Sequence, residues 1–83
     1  MAVNYSHLRR LMARELLSAL ARDGFLLDRQ AGVHQLYFHA DGRRVTGSFH
    51  RPGETFEIRT LRAMIELQAH WTNEDLKRLK LIR

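Results

Sequence analysis

His34 is the residue in this sequence best suited to acid–base chemistry. It follows the turn sequence Gly32-Val33 at the start of a predicted strand, and Arg29, Arg43 and Arg44 are expected to fold near it. An imidazole titrates near neutral pH, so it can take a proton from an RNA 2′-hydroxyl or give one to the leaving 5′-oxygen. Nearby arginines would stabilise the negative charge that develops on the phosphate. The alternative is a structural role, in which His34 is a polar strand residue bonded to a carbonyl on the helix-covered side.

The other histidines do not form a pattern typical of a metal site. His34 and His39 lie five positions apart, which on a strand places them on opposite faces. His39 and His50 flank a predicted hairpin and could be cross-strand neighbours, but a metal site there is the minor interpretation. Cysteine is absent, which excludes disulfides and thiolate ligands, and the glycines are spread singly instead of forming a phosphate-binding loop. No cofactor is predicted.

The charge of the chain favours an acidic partner. The 83 residues contain 14 Lys and Arg against 9 Asp and Glu, and all basic residues except Lys77 and Lys80 are arginines. Arginine binds phosphate with two parallel hydrogen bonds and stacks on bases, which suits nucleic acid or an acidic protein. The alternative is a solvated surface whose arginines reflect codon usage. No apolar run approaches the roughly 20 residues of a membrane span, and no signal-peptide core is visible. A cytoplasmic protein without membrane contact is therefore expected.

The apolar pattern predicts a single α+β domain over residues 1–83, with the order α-β-β-β-α and a further short helix. Residues 1–5 are expected to form a loose arm. A helix should begin at Ser6, its predicted cap, and stop at Asp23-Gly24, either continuous or broken near Ala13. Its apolar stripe comprises Leu8, Met12, Leu16 and Leu20.

Three strands are predicted at about residues 25–29, 33–40 and 43–50. Asp41-Gly42 predicts a two-residue turn between the second and third strands, a common hairpin type that requires positive φ. Alternation places Val45, Gly47 and Phe49 on one face of the third strand. In the second strand, Leu36 and Phe38 are expected to face the helices together with His34, and Tyr37 to face solvent. A catalytic His34 would then have to lie at the edge of the sheet.

The C-terminal part predicts two helices after a loop at residues 51–54. Thr60 is the expected cap of the first, whose inward-facing residues include Leu61, Met64 and Ile65 and which should end near His70-Trp71. Thr72 is the expected cap of a terminal extension over residues 72–83. This extension has acidic residues in its first turn and basic residues near its end, as the helix dipole favours.

Four segments carry a resemblance to a known family. They are Asp23-Gly24-Phe25, the segment from Arg29 to His34, the segment from His39 to His50, and Thr60-Leu61-Arg62. Together, over roughly residues 13–71, they resemble the HicA family of toxin mRNA interferases from bacterial toxin–antitoxin pairs. The resemblance implies a double-stranded-RNA-binding-domain-like fold, in which helices cover one face of a three-stranded antiparallel sheet. It also implies a metal-independent endoribonuclease that acts on mRNA and is neutralised by a HicB-type antitoxin.

The family's catalytic histidine lies in a Gly-Ser/Thr-His motif, which maps onto Gly32-Val33-His34. The expected catalytic residue is therefore His34, acting as general base or acid. The residues expected to contact RNA are Arg29, Gly32, Tyr37, Arg43 and Arg44, with Tyr37 stacking on a base.

Two positions depart from the family pattern. Val33 stands in place of the usual hydroxyl residue, and Gly47 stands where a β-branched apolar residue is more common. The alternative hypothesis is therefore a catalytically impaired RNA-binding remnant that acts mainly through its antitoxin complex. A DNA-binding regulator that acts with a partner ranks last, because no base-reading recognition helix stands out.

Overall fold

The order of elements matches the predicted α+β arrangement. The computed structural model describes residue 3, residues 5–8 and residues 10–82. After a 3₁₀ helix at Tyr5–Leu8, the elements are α1 (Ala13–Arg22), β1 (Leu26–Ala31), β2 (His34–Phe38), β3 (Arg44–Ser48), α2 (Ile58–Arg62) with a π-helical continuation (Ala63–Gln68), and α3 (Asn73–Arg78). Within these described ranges, no helix is long and apolar enough to cross a membrane.

The N-terminal helix is broken, and Ser6 is not its cap. Ser6 lies within the 3₁₀ helix, whereas α1 begins at Ala13 after Met12, whose extended backbone pairs with Thr55. The Met12 N–H donates to the Glu15 carboxylate at 2.9 Å, which satisfies one free donor at the start of α1. Of the predicted arm, residues 1, 2 and 4 lie outside the described residues. Val3 is buried, and the Tyr5 hydroxyl donates to Glu66.

The hairpin loop between β2 and β3 is longer than the sequence predicted. The His39 N–H donates to the Arg43 carbonyl at 2.9 Å, so the loop comprises residues 40–42, and only its Gly42 has positive φ, at 99°. This is the three-residue hairpin with glycine in the left-handed position. Its register pairs His34 with Ser48 and Phe38 with Arg44. Because side chains alternate, the additional loop residue turns every β2 side chain to the face opposite from the one predicted.

The β2 side chains that face the helices are therefore not the ones that the sequence predicted. On β3 the prediction is confirmed, because Val45 and Gly47 are buried and their neighbours are exposed. Gly47 lies over Met64 of the π-helical segment, and a Cβ there would meet its Cε at an ordinary 3.7 Å. Opposite them lie Gln35 and Tyr37, and Tyr37 packs against the core. The prediction that Leu36 and Phe38 face the helices is wrong.

The predicted N-terminal cap is wrong for the first helix after the sheet and correct for the terminal helix. The second helix starts at Ile58, with Glu57 in the capping position, so Thr60 lies inside it and is not its cap. Thr72 does cap α3: its hydroxyl accepts from the Asp75 N–H at 3.3 Å, and its own N–H donates to that carboxylate at 2.9 Å. The core that these helices build with α1 and the sheet contains Leu16, Leu20, Phe25, Val45, Leu61, Ile65, Trp71, Leu76 and Leu79.

Asp23 ties four parts of the chain together. Its carboxylate, only 9% exposed, accepts hydrogen bonds from Trp71 Nε1 at 2.8 Å and from Arg78 at 2.9 Å, and it pairs with Arg43 at 3.1 Å. Burial alone would raise the pKa of Asp23. The hydrogen bonds from Trp71 and Arg78, together with the charge of Arg43, outweigh burial and hold this pKa below its ordinary value.

We expect this carboxylate to make the stability of the protein depend on acid pH. Because the pKa is lower in the folded state, the stabilisation is complete above the unfolded pKa of about 3.9. It is lost as the pH falls through the lower folded value. Asp23→Asn should lower the free energy of unfolding by about 1–3 kcal/mol at pH 7. As the pH falls from about 5 to 2, the free energy of unfolding of this variant should decline less steeply than that of the wild type, as measured by urea unfolding.

The matched control is Asp28→Asn, which changes an exposed carboxylate that has no ion pair or hydrogen bond within the described residues. Its pH dependence should follow that of the wild type. Equal slopes for the wild type and Asp23→Asn would contradict the role assigned to Asp23.

Candidate functional site

His34 lies on the open face of the sheet. We use this name for the side of β1, β2 and β3 that the helices do not cover. His34 is exposed on the central strand, paired with Ala31 on β1 and with Ser48 on β3. Within the described residues its ring has no hydrogen-bond partner. The alternative of a structural histidine beneath the helices therefore does not hold, and the imidazole is free to meet a ligand in solvent.

The turn that leads to His34 depends on Gly32. Gly32 has φ of +60°, in the left-handed region that favours glycine, and no atom lies within 4 Å of where its Cβ would be. Val33 is half-buried, and its carbonyl accepts from the Phe49 N–H at 3.2 Å. The turn is thereby attached to the end of β3, which fixes the start of β2 at His34.

A β-bulge places Arg29 on the open face. The register between β1 and β2 shifts at Asp28: Leu27 pairs with Tyr37 of the covered face, whereas Arg29 pairs with Leu36 of the open face. Without the extra residue, alternation would turn Arg29 to the covered side. Arg29 is exposed, so its guanidinium is available to a ligand on the same surface as His34.

Arg44 lies on the open face from the other side. It is exposed on β3, opposite Phe38, and its guanidinium carbon lies 5.6 Å from the centre of the Phe38 ring. This is the distance of a cation–π contact. Between the two arginines there is a shallow hollow, which we call the sheet depression; it is lined by Asp28, Arg29, Leu36, Phe38 and Arg44.

Arg43 is held within the fold instead. It is the neighbour of Arg44 in sequence, but it points toward the helices, with Nε 2.7 Å from Asp41 and Nη1 2.6 Å from the Ala69 carbonyl. Its guanidinium also lies over the ring of Phe25, at 4.9 Å. Together with the Asp23 pair, these contacts occupy the groups with which it would bind a phosphate.

Tyr37 also lies away from the open face. Its ring packs against the core, its hydroxyl donates to Gln35 at 2.7 Å, and burial raises the pKa of Tyr37 above its ordinary value. Of the six predicted site residues, the structure brings His34, Arg29 and Arg44 to one surface, with Gly32 at its border. It does not bring Arg43 and Tyr37 there.

His39 and His50, which were considered as cross-strand neighbours, do not meet. His39 lies at the hairpin loop, whereas His50 follows the opposite end of β3, so the two are not cross-strand neighbours. His39 Nε2 donates to the Asp23 carbonyl at 2.7 Å, and its Nδ1 accepts from the Asp41 N–H at 3.0 Å. Nowhere in the described part of the chain do three His, Asp or Glu side chains meet as a metal site would require.

Sequence reasoning missed three residues of this surface: Asp28, Leu36 and Phe38. A three-residue loop with Gly42 as its last member would have given the correct register, and with it the position of Leu36 and Phe38. The bulge at Asp28 leaves no comparable mark in the sequence, because any residue type can occupy it.

A comparison with protein families supports one assignment. The family model described as the HicA toxin of bacterial toxin–antitoxin matches residues 13–71, which include α1, the whole sheet and α2. A comparison with curated proteins found no match. Because the family match covers well over half of the chain and all of the open face, this protein belongs to the HicA toxin family of bacterial toxin–antitoxin systems.

Proposed function

We propose that the protein is an endoribonuclease that cleaves mRNA in the cytoplasm without a metal ion, with His34 as its general base or acid. A HicB-type antitoxin would neutralise it. One observation carries the proposal: the register of the hairpin exposes His34 on the central strand, with Arg29 and Arg44 on the strands at either side. Family membership supports the toxin role.

The chemistry requires only groups that this surface offers. His34 takes the proton from a 2′-hydroxyl, and the 2′-oxygen then forms a bond to the adjacent phosphorus. The bond from phosphorus to the 5′-oxygen breaks, and this oxygen receives a proton from imidazolium or water. Arg29, which pairs with Leu36 two residues from His34, balances the additional negative charge on the phosphate. Arg44, which pairs with Phe38 at the other end of β2, is placed to bind a phosphate further along the RNA.

The first test replaces the proposed acid–base group. His34→Ala should lower the rate of RNA cleavage by about 10²–10⁴-fold, the usual contribution of a positioned proton-transfer group. It should also abolish growth arrest on expression. Cleavage is followed with end-labelled RNA in EDTA, and circular dichroism checks the fold.

His7→Ala is the matched control, because His7 is an exposed histidine in the 3₁₀ helix, which contacts α2 on the covered side through Tyr5. It should cleave like the wild type. Unchanged cleavage by His34→Ala, or loss of wild-type cleavage in EDTA, would overturn the proposed mechanism.

The second test compares two arginines that are adjacent in sequence and lie on opposite faces. Arg44→Ala should weaken RNA binding and lower the slope of log affinity against log salt by about one, with little change in stability. Arg43→Ala should lower the free energy of unfolding by about 1–3 kcal/mol, because it loses hydrogen bonds to charged partners. Binding is measured by fluorescence anisotropy over a range of salt concentrations, and stability by urea unfolding. Loss of stability in Arg44→Ala together with loss of RNA binding in Arg43→Ala would contradict the roles assigned to both arginines.

The side chain of Val33 favours a second candidate function, an RNA-binding protein with impaired catalysis. Position 33 precedes His34 directly and has no hydroxyl. If catalysis is limited by this missing group, Val33→Ser should cleave faster than the wild type in the same assay. RNA binding by both proteins with cleavage by neither would establish the binding function and contradict the enzymatic one.

A further inference from the structure

The sheet depression lies beside His34 on the open face. Leu36, on its floor, is two residues from His34 on the same strand and on the same face. Two strand residues span about 6–7 Å, which is close to the separation of neighbouring phosphates in extended RNA. A base in the depression would therefore belong to a nucleotide next to the one whose phosphate meets His34.

The floor of the depression suits the flat face of a base. It consists of Leu36, half-buried, and Phe38, which is 40% exposed although it is a large apolar side chain. Unstacked bases bind to aromatic rings and to guanidinium planes. Arg44 already lies over the Phe38 ring at 5.6 Å, so its outer face extends the same platform.

The rim of the depression combines opposite charges. Arg29 and Arg44 border it from β1 and β3, where they can meet the phosphates on either side of a bound base. Asp28, the bulge residue, adds a carboxylate that is exposed and has no ion pair or hydrogen bond within the described residues. A carboxylate repels phosphate, so its favourable contact with a nucleotide is with N–H groups on the edge of the base.

The edge that suits a carboxylate best is that of guanine. A carboxylate only accepts hydrogen bonds, and its two oxygens can accept two parallel N–H groups. Guanine offers two such donors side by side, at N1 and at the 2-amino group. Adenine and cytosine offer one amino group beside an acceptor nitrogen, and uracil offers one N–H between two carbonyl oxygens.

We propose that the sheet depression is a guanine-binding subsite, in which Asp28 binds the Watson–Crick edge and Leu36, Phe38 and Arg44 support the face of the base. The subsite would give the enzyme a preference for guanine beside the cleaved bond. In that respect the proposal rests on the proposed function, whereas guanine binding itself does not require cleavage.

The experiment uses octanucleotides of 2′-O-methyl RNA, which lack the free 2′-hydroxyl that cleavage needs. Each is a run of uridines with one central base replaced by guanine, inosine, adenine or cytosine, and fluorescence anisotropy gives its affinity for the full chain. The guanine oligonucleotide should bind about fivefold or more tightly than the others, as expected for a bidentate contact. Inosine, which lacks the 2-amino group, should lose most of this preference.

Variants assign the preference to individual side chains. Asp28→Asn should remove the guanine preference without weakening binding to the uridine octanucleotide, because a charge that repels phosphate is lost. Phe38→Ala should weaken the binding of all the oligonucleotides to a similar extent. Glu74→Gln, a carboxylate change on α3, is the control and should behave as the wild type.

Two outcomes would overturn the subsite: equal affinity of the wild type for all central bases, or an undiminished guanine preference in Asp28→Asn. Either result would leave the His34 assignment intact, because binding is measured without cleavage. Conversely, failure of the His34→Ala test would leave a measured guanine preference standing.

Discussion

The contacts of the Asp23 carboxylate determine how the sheet meets the helices. Asp23 ends α1, and its partners come from the hairpin, from the segment after α2 and from α3. The backbone at this position is used as well, because the Asp23 carbonyl accepts from the His39 ring. Next to it, a Cβ on Gly24 would lie only 2.9 Å from His39 Nε2, and its φ of +96° also favours glycine. The hairpin is thus held closely against the end of α1.

This attachment has a consequence for the opposite side of the sheet. Arg43 must point toward Asp23, so its neighbour Arg44 points away, and the alternation of β3 follows from that choice. The three-residue loop then fixes the register of β2 against β3. In this register Tyr37 lies on the covered face and His34 on the open one. An ion pair on the helical side therefore helps to decide which side chains can meet a ligand.

The sequence could predict features that depend on a few neighbouring residues. The stop at Asp23-Gly24, the Thr72 cap and the alternation of β3 are of this kind. Which β2 side chains face the helices depends on the length of the hairpin loop, and Asp41-Gly42 is compatible with both a two- and a three-residue loop. The structural role of Arg43 depended on Asp23 and Ala69, which are distant along the chain. The local sequence pattern therefore could not distinguish the structural role of Arg43 from the exposed position of Arg44.

The two edges of the sheet are both modified, which bears on how partners can bind. At β3, the Thr46 N–H donates to the Gln68 side chain at 2.8 Å, so a group of this edge is already bonded to the π-helical segment. At β1, the bulge and its charged residues Asp28 and Arg29 disfavour pairing with another strand. The bulge thus has two effects, because the residue that interrupts the edge also turns Arg29 to the open face. Pairing with an added strand is therefore disfavoured at both edges, and the exposed side chains of the open face are better placed to recognise a ligand.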